Sequence, residues 1–103
     1  MDNGAQVDPA RVLVVDDEGA NRYSVCKTLQ KVGYQVAEAA NGQEALDLLL
    51  KQQYDVVLTD IRMPGIDGVE LLRKIKDSSP DAIVILMTGY ASLSSAVEAL
   101  RLG

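Results

Sequence analysis

The chain has 103 residues, 48% of them hydrophobic and 24% charged, which fits one globular domain with a buried core and is too short for two. A formal charge of −5 with no long basic run argues against nucleic-acid binding by this segment. With no His, Phe or Trp, the chain has no Ser-His-Asp or Cys-His catalysis, no histidine metal ligands, no phosphohistidine and no aromatic stacking platform.

The opening "MDNGAQVDPA", residues 1–10, is polar and contains Gly and Pro, so a flexible tail is expected there. It does not read as a secretory signal, and no apolar run exceeds the six residues of "AIVILM", well short of a membrane span. The single cysteine, Cys26, cannot form an internal disulfide. A cytoplasmic location, away from membranes, is the expectation.

From Arg11 onward, strand-like and helix-like runs alternate. The strands are expected at Arg11–Val15, Gln35–Ala39, Val56–Thr59 and Ala82–Met87, all rich in apolar residues with Val, Ile and Ala prominent. Near-continuous apolar runs suit strands buried on both faces of a parallel sheet. A first helix is expected over Ala20–Val32, with Val25, Leu29 and Val32 on one face and Gly33 as the stop. Asn41 and Glu44 form a capping pair for a second helix, which turns Ala45, Leu46 and Leu49 inward. Asp67 and Glu70 repeat that pattern for a third, with Gly68, Leu71, Leu72 and Ile75 at i, i+3, i+4 and i+7. The fourth places Leu93, Ala96, Val97 and Leu100 on one face and stops at Gly103. Strict β/α alternation predicts an α/β fold with right-handed crossovers and helices on both faces of the sheet.

Two of the apolar strands run into acids. "RVLVVDDEG" ends on Asp16 and Asp17, and "DVVLTDIRMPG" on Asp60, while Thr88 follows the fourth strand in "ILMTGYAS". In open parallel sheets ligands bind outside the carboxyl ends of the strands, so all four residues belong to one rim. Each motif alone has a plainer reading: "DDE" as a helix N-terminus, a lone Asp as a turn residue, "MPG" as a tight turn. Their coincidence at one edge is what points to a site. Three carboxylates within about 6 Å repel by roughly 3 kcal/mol per pair at an effective dielectric near 20. Relief comes from a cation, from protonation or from solvent, and Mg²⁺ suits a site with few carboxylates and several waters. Asp60 is then a candidate nucleophile for phosphoryl transfer, with the Thr88 hydroxyl and the Gly89 N–H offered to a phosphoryl oxygen. Cys26 and Met87 read as core packing.

At "VLVVDDE", "NGQEALDLL", "YDVVLTDIRMPGIDGVELLRKIK", "IVILMTGYAS" and "AVEALRLG" the sequence resembles the receiver domain of bacterial two-component response regulators. The likeness spans nearly everything from Arg11 on, and the D-x-x-M-P-G-x-D-G block at Asp60 is its most specific part. It implies a flavodoxin-like, doubly wound parallel sheet in the order 2-1-3-4, with the family's fifth strand and helix missing from this chain. It implies residues 11–103 as the receiver domain, Asp60 as phosphoacceptor and Thr88 as the switch hydroxyl. It further implies Mg²⁺ held by Asp17, Asp60 and the Arg62 carbonyl, with Asp16 acting through water. The phosphoryl donor would be a sensor histidine kinase or a phosphotransfer protein. The family's site lysine belongs to the fifth strand, and Lys27, Lys31, Lys51, Lys74 and Lys76 all fall in expected helices.

Three other functions are weighed against this one. A phosphatase of the haloacid dehalogenase type needs a second Asp two residues after its nucleophile, where this chain has Arg62. An FMN-binding module needs a phosphate loop after the first strand, where "DDEGAN" would repel one. The third is a non-phosphorylatable interaction domain that forms a homodimer through its apolar fourth strand. The receiver reading also expects self-phosphorylation without enzymatic turnover.

Overall fold

The computed structural model describes residues 9–87. Within them lie four strands and three helices in strict alternation: β1 (Arg11–Val15), α1 (Gly19–Val32), β2 (Gln35–Ala39), α2 (Gly42–Lys51), β3 (Val56–Asp60), α3 (Gly68–Ser78) and β4 (Ile83–Met87). Residues 1–8 of the expected tail, Thr88 and the fourth helix fall outside the described residues.

The sheet is wholly parallel in the order β2-β1-β3-β4, as the alternation and the resemblance predict. Register is set at both ends of β1. Arg11 pairs with Gln35, and Val15 pairs with both Ala39 and Thr59. Asp55 tethers the start of the central pair, its carboxylate accepting from Arg11 N at 2.8 Å while its own N–H donates to the Arg11 carbonyl at 2.8 Å.

Side chains alternate across this sheet and build two cores. Val12, Val14 and Leu58 join Val25, Cys26, Leu29 and Met87 on the α1 side. Leu13, Val15 and Val57 join Ala45, Leu71 and Ile75 on the side of α2 and α3. The central strands are therefore buried on both faces, which is why they read as continuous apolar runs. Cys26 and Met87 are core residues, as expected.

The helix ends follow their capping residues. Asn41 Oδ1 accepts from Glu44 N at 2.9 Å, and Glu44 Oε1 accepts in return from Ala40 N at 2.9 Å. Asp67 Oδ1 accepts from Glu70 N at 2.8 Å. Gly33, at φ 113°, closes α1 with its N–H on the Gln30 carbonyl, followed by Tyr34 N on that of Leu29.

One expected inner residue is corrected. Val32 is 54% exposed, and α1 buries Val25, Cys26 and Leu29 instead. Val32 shares the face of Val25 and Leu29 but is the last residue of α1, where that face is no longer covered, and Tyr34 packs against the core instead. In α2, Ala45 is fully buried and Leu46 and Leu49 are half-buried against the same core, whereas Leu50 is 87% exposed.

Candidate functional site

The parallel order brings the carboxyl ends of β1 and β3 side by side, with Val15 opposite Thr59. Asp16 follows β1, and Asp60 is the last residue of β3, one residue further into the strand than the apolar run alone indicates. By alternation both fall on the face of Val12, Val14 and Leu58, toward α1. Asp17 has left the strand, so its side chain escapes that alternation. One carboxylate oxygen from each of Asp16, Asp17 and Asp60 lies within 4.8 Å of the others. The three acids expected to share a rim do share a site.

They do so in different states. Asp16 is only 1% exposed, Asp60 is half-buried and Asp17 is exposed. A buried carboxylate needs hydrogen-bond donors, and Asp16 has them on both oxygens. Glu18 N donates to Oδ1 at 2.9 Å and Asn21 Nδ2 to Oδ2 at 2.7 Å. Its backbone is held as well: Asp16 N donates to the Ala39 carbonyl at 3.1 Å, and Arg22 Nη1 donates to the Asp16 carbonyl at 2.6 Å. Arg22 Nε reaches on to Glu38 Oε1 at 2.8 Å, which ties the β1 terminus to β2. The plainer reading of "DDE" as acids at a helix N-terminus finds no acid in the first turn of α1 and no side-chain cap bond at Glu18, although the Asp16 bond to Glu18 N is an Asx-type turn that leads into the helix. Asp17 is left to face the site.

Asp60 sits where β3 gives way to the Met-Pro-Gly turn. Arg62 N stands 3.3 Å from Asp60 Oδ1, and Thr59 Oγ1, fully buried, donates to the Asp60 carbonyl at 3.0 Å. Arg62 itself is exposed and on the expected loop, and it is its amide that the geometry ties to Asp60. Two open grooves flank the turn. One, of about 490 Å³, runs from Asp17 past Asn41 and Gly42 to Gly65 and Ile66. The other, of about 460 Å³, is lined by Ile61 to Pro64 and Asp67. Gly65, at φ 77°, takes the left-handed conformation that the turn requires.

Sequence reasoning did not single out Asn21 and Arg22. Their signal is an amide and a guanidinium in the first turn after paired acids, which acquires meaning only once α1 is placed over the end of β1. A set of three hard oxygen donors open to water on one side suits a small divalent cation that keeps part of its hydration shell. Among the described residues no helix is long and apolar enough to cross a membrane.

The family model described as the response regulator receiver domain matches residues 12–103. Over 93 residues the chain is 40% identical to sporulation initiation phosphotransferase F of Bacillus subtilis, covering 90% of this chain and 75% of that protein. It is 44% identical over 101 residues to the transcriptional regulatory protein ZraR of Klebsiella oxytoca, covering 98% of this chain but only 22% of the relative. Among solved structures, the response regulator protein TrrA of Thermotoga maritima in complex with Mg²⁺-BeF superposes with a TM-score of 0.76 at 41% identity, over 88% of this chain and 79% of that one. TrrA in complex with the histidine kinase ThkA superposes with a TM-score of 0.75 at 43% identity, over 81% and 72% of the two chains.

Proposed function

Since this chain belongs to the response regulator receiver domain family of two-component signalling, we propose that Asp60 is its phosphoacceptor. The observation that carries this reading is the position of Asp60: a half-buried carboxylate at the end of a buried strand, beside two further carboxylates and before a turn flanked by open grooves. An Asp60 oxygen attacks the phosphorus of the donor, the bond from phosphorus to the donor atom breaks, and an acyl phosphate forms. The donor is a histidine kinase or a phosphotransfer protein, a reading supported by the TrrA–ThkA complex. The reaction modifies the chain itself once and involves no turnover.

Mg²⁺ is the proposed cofactor, and the Mg²⁺-BeF complex of TrrA supports it. Asp17 and Asp60 are proposed to ligate it directly, with Asp16 acting through water and the Arg62 carbonyl as a further oxygen, and the closeness of the three carboxylates supports this. When bound, the cation offsets the charge of the carboxylates and of the incoming phosphoryl oxygens. Thr88 is proposed as the hydroxyl that meets the phosphoryl group. The net charge of −5 accords with a protein partner rather than a nucleic acid, and the reading carries with it a cytoplasmic location.

Acetyl phosphate with Mg²⁺ provides the test. Mass spectrometry should find a phosphoryl increment on the wild-type chain and none on Asp60→Asn. An increment that survives the substitution, or none on the wild type, overturns the assignment.

A further inference from the structure

We propose that Asn21 is a positioning residue that reserves Asp16 as an outer, single-oxygen acceptor and thereby biases the site toward Mg²⁺ over Ca²⁺. The inference rests on the cation reading given above and goes beyond it, to a selectivity device outside the carboxylates themselves.

Two neighbouring acids, Asp16 and Asp17, are held unequally. Asp16 is buried and both its oxygens are engaged, Oδ2 by Asn21 Nδ2 at 2.7 Å and Oδ1 by Glu18 N at 2.9 Å. Its carbonyl is fixed by Arg22 Nη1 at 2.6 Å, and Arg22 is itself anchored on Glu38 at 2.8 Å. Arg22 spans two acceptors at once, a task for a guanidinium fork rather than an ammonium. The backbone of Asp16 is therefore stationary, and the remaining freedom of its carboxylate is rotation of the side chain. The Glu18 bond is local and returns with any Asp that begins such a turn. The Asn21 bond comes from a side chain on α1 and is the lock that a substitution can open.

Cation chemistry makes that lock matter. Ca²⁺ takes six to eight oxygens and readily accepts bidentate carboxylates, whereas Mg²⁺ demands a near-ideal octahedron and keeps its waters. Turning Asp16 so that both its oxygens face one ion gives up the Asn21 bond. With the bond intact, the inner protein oxygens come from Asp17, Asp60 and the Arg62 carbonyl, and waters fill the rest. Without it, a third carboxylate becomes free to chelate, and the larger ion gains most. Asn21 is uncharged, so replacing it leaves the net charge of the site as it is.

The test titrates the full chain with Mg²⁺ and separately with Ca²⁺, following backbone amide shifts at Asp17 and Arg62. Asn21→Leu keeps the side-chain size and removes the donor. It should raise the affinity for Ca²⁺ relative to Mg²⁺ by about tenfold, the scale of one hydrogen bond to a charged group. Asn21→Gln, which keeps the amide, should recover part of the wild-type ratio. Asn21→Ser, too short to reach Asp16, is the second variant should Asn21→Leu lose its dispersed apo spectrum. An unchanged ratio in a folded variant, or an equal fall for both ions, overturns the proposal and leaves the cation site standing. No saturable shift in the wild type up to tens of millimolar of either ion overturns the cation reading and this inference with it.

Discussion

Gly68 lies against the backbone of Asp60 so closely that a methyl group built on its Cα would overlap the Asp60 carbonyl oxygen and stand 2.8 Å from Ile61 Cα. Gly68 N also donates to the Ile61 carbonyl at 2.9 Å, so the first residue of α3 grips the peptide that carries the proposed phosphoacceptor. In an exposed helix Gly→Ala stabilises by roughly 1 kcal/mol. Here the sign should reverse. Gly68→Ala is expected to destabilise the fold by about 1–3 kcal/mol, as overpacking against unyielding backbone does, and to slow phosphorylation of Asp60. Urea midpoints and the acetyl phosphate assay read the two effects, and a stabilised, fully active variant would contradict the contact.

Removing divalent cations tests the carboxylate cluster. Chelation by EDTA should slow acetyl phosphate labelling by about a hundredfold, the rate equivalent of a few kcal/mol of charge stabilisation. Asp17→Asn should reproduce most of that loss in the presence of Mg²⁺, because Asp17 is the exposed acid of the three. Labelling that ignores both changes would exclude a metal role.

Burial pushes the Cys26 thiol up from an ordinary value of 9.0 to about 11, with Glu38 adding to the shift and Arg22 opposing it. The folded value is raised, so the stabilisation is fully present below pH 9 and is lost as pH rises through 11. Two units correspond to about 3 kcal/mol. The stability difference between wild type and Cys26→Ala should therefore shrink by about 2 kcal/mol from pH 8 to pH 11, the remainder being lost above pH 11. Thiolate absorbance with a midpoint near 9 in the folded chain would contradict it.

The two capping arrangements should behave differently. Asn41→Ala and Asp67→Ala should each cost about 1 kcal/mol by urea denaturation. Asn41 and Glu44 hold the entry to α2 from both sides, through Glu44 N and Ala40 N. Asn41→Ala and Glu44→Ala should therefore be non-additive in a double-mutant cycle, by about 0.5 kcal/mol or more. Strict additivity would mean the two bonds act independently.

Core and surface positions of the same chemistry should separate cleanly. Leu29→Ala, at a fully buried position, should destabilise by about 2–5 kcal/mol. Val32→Thr and Leu50→Gln, at exposed positions, should stay within about 0.5 kcal/mol of wild type. A large loss at Val32 would restore it to the inner face of α1.

What the sequence alone determined is local in origin. Continuous or nearly continuous apolar runs marked the strands to within one residue of Val56–Asp60 and Ile83–Met87. Asn41 with Glu44 and Asp67 with Glu70 marked two helix starts, because a capping bond joins residues three apart and needs nothing from the rest of the chain. The acids at two strand ends were legible as one site because parallel strands must present their carboxyl ends along one edge. Tertiary structure decided the division of labour within that site. Nothing in "DD" says that Asp16 is buried and bonded while Asp17 stays exposed; that follows from where α1 brings Asn21 and Arg22 over the end of β1. Nor does "DG" say that Gly68 must be glycine, since its φ is unremarkable and the demand comes from the Asp60 peptide packed against it. Val32 was misplaced for a related reason: periodicity names the face of a helix, but the width of the sheet beneath decides where that face stops being covered. Periodicity and capping are written along the chain. Burial and contact arise from distances between segments that only the packed fold establishes.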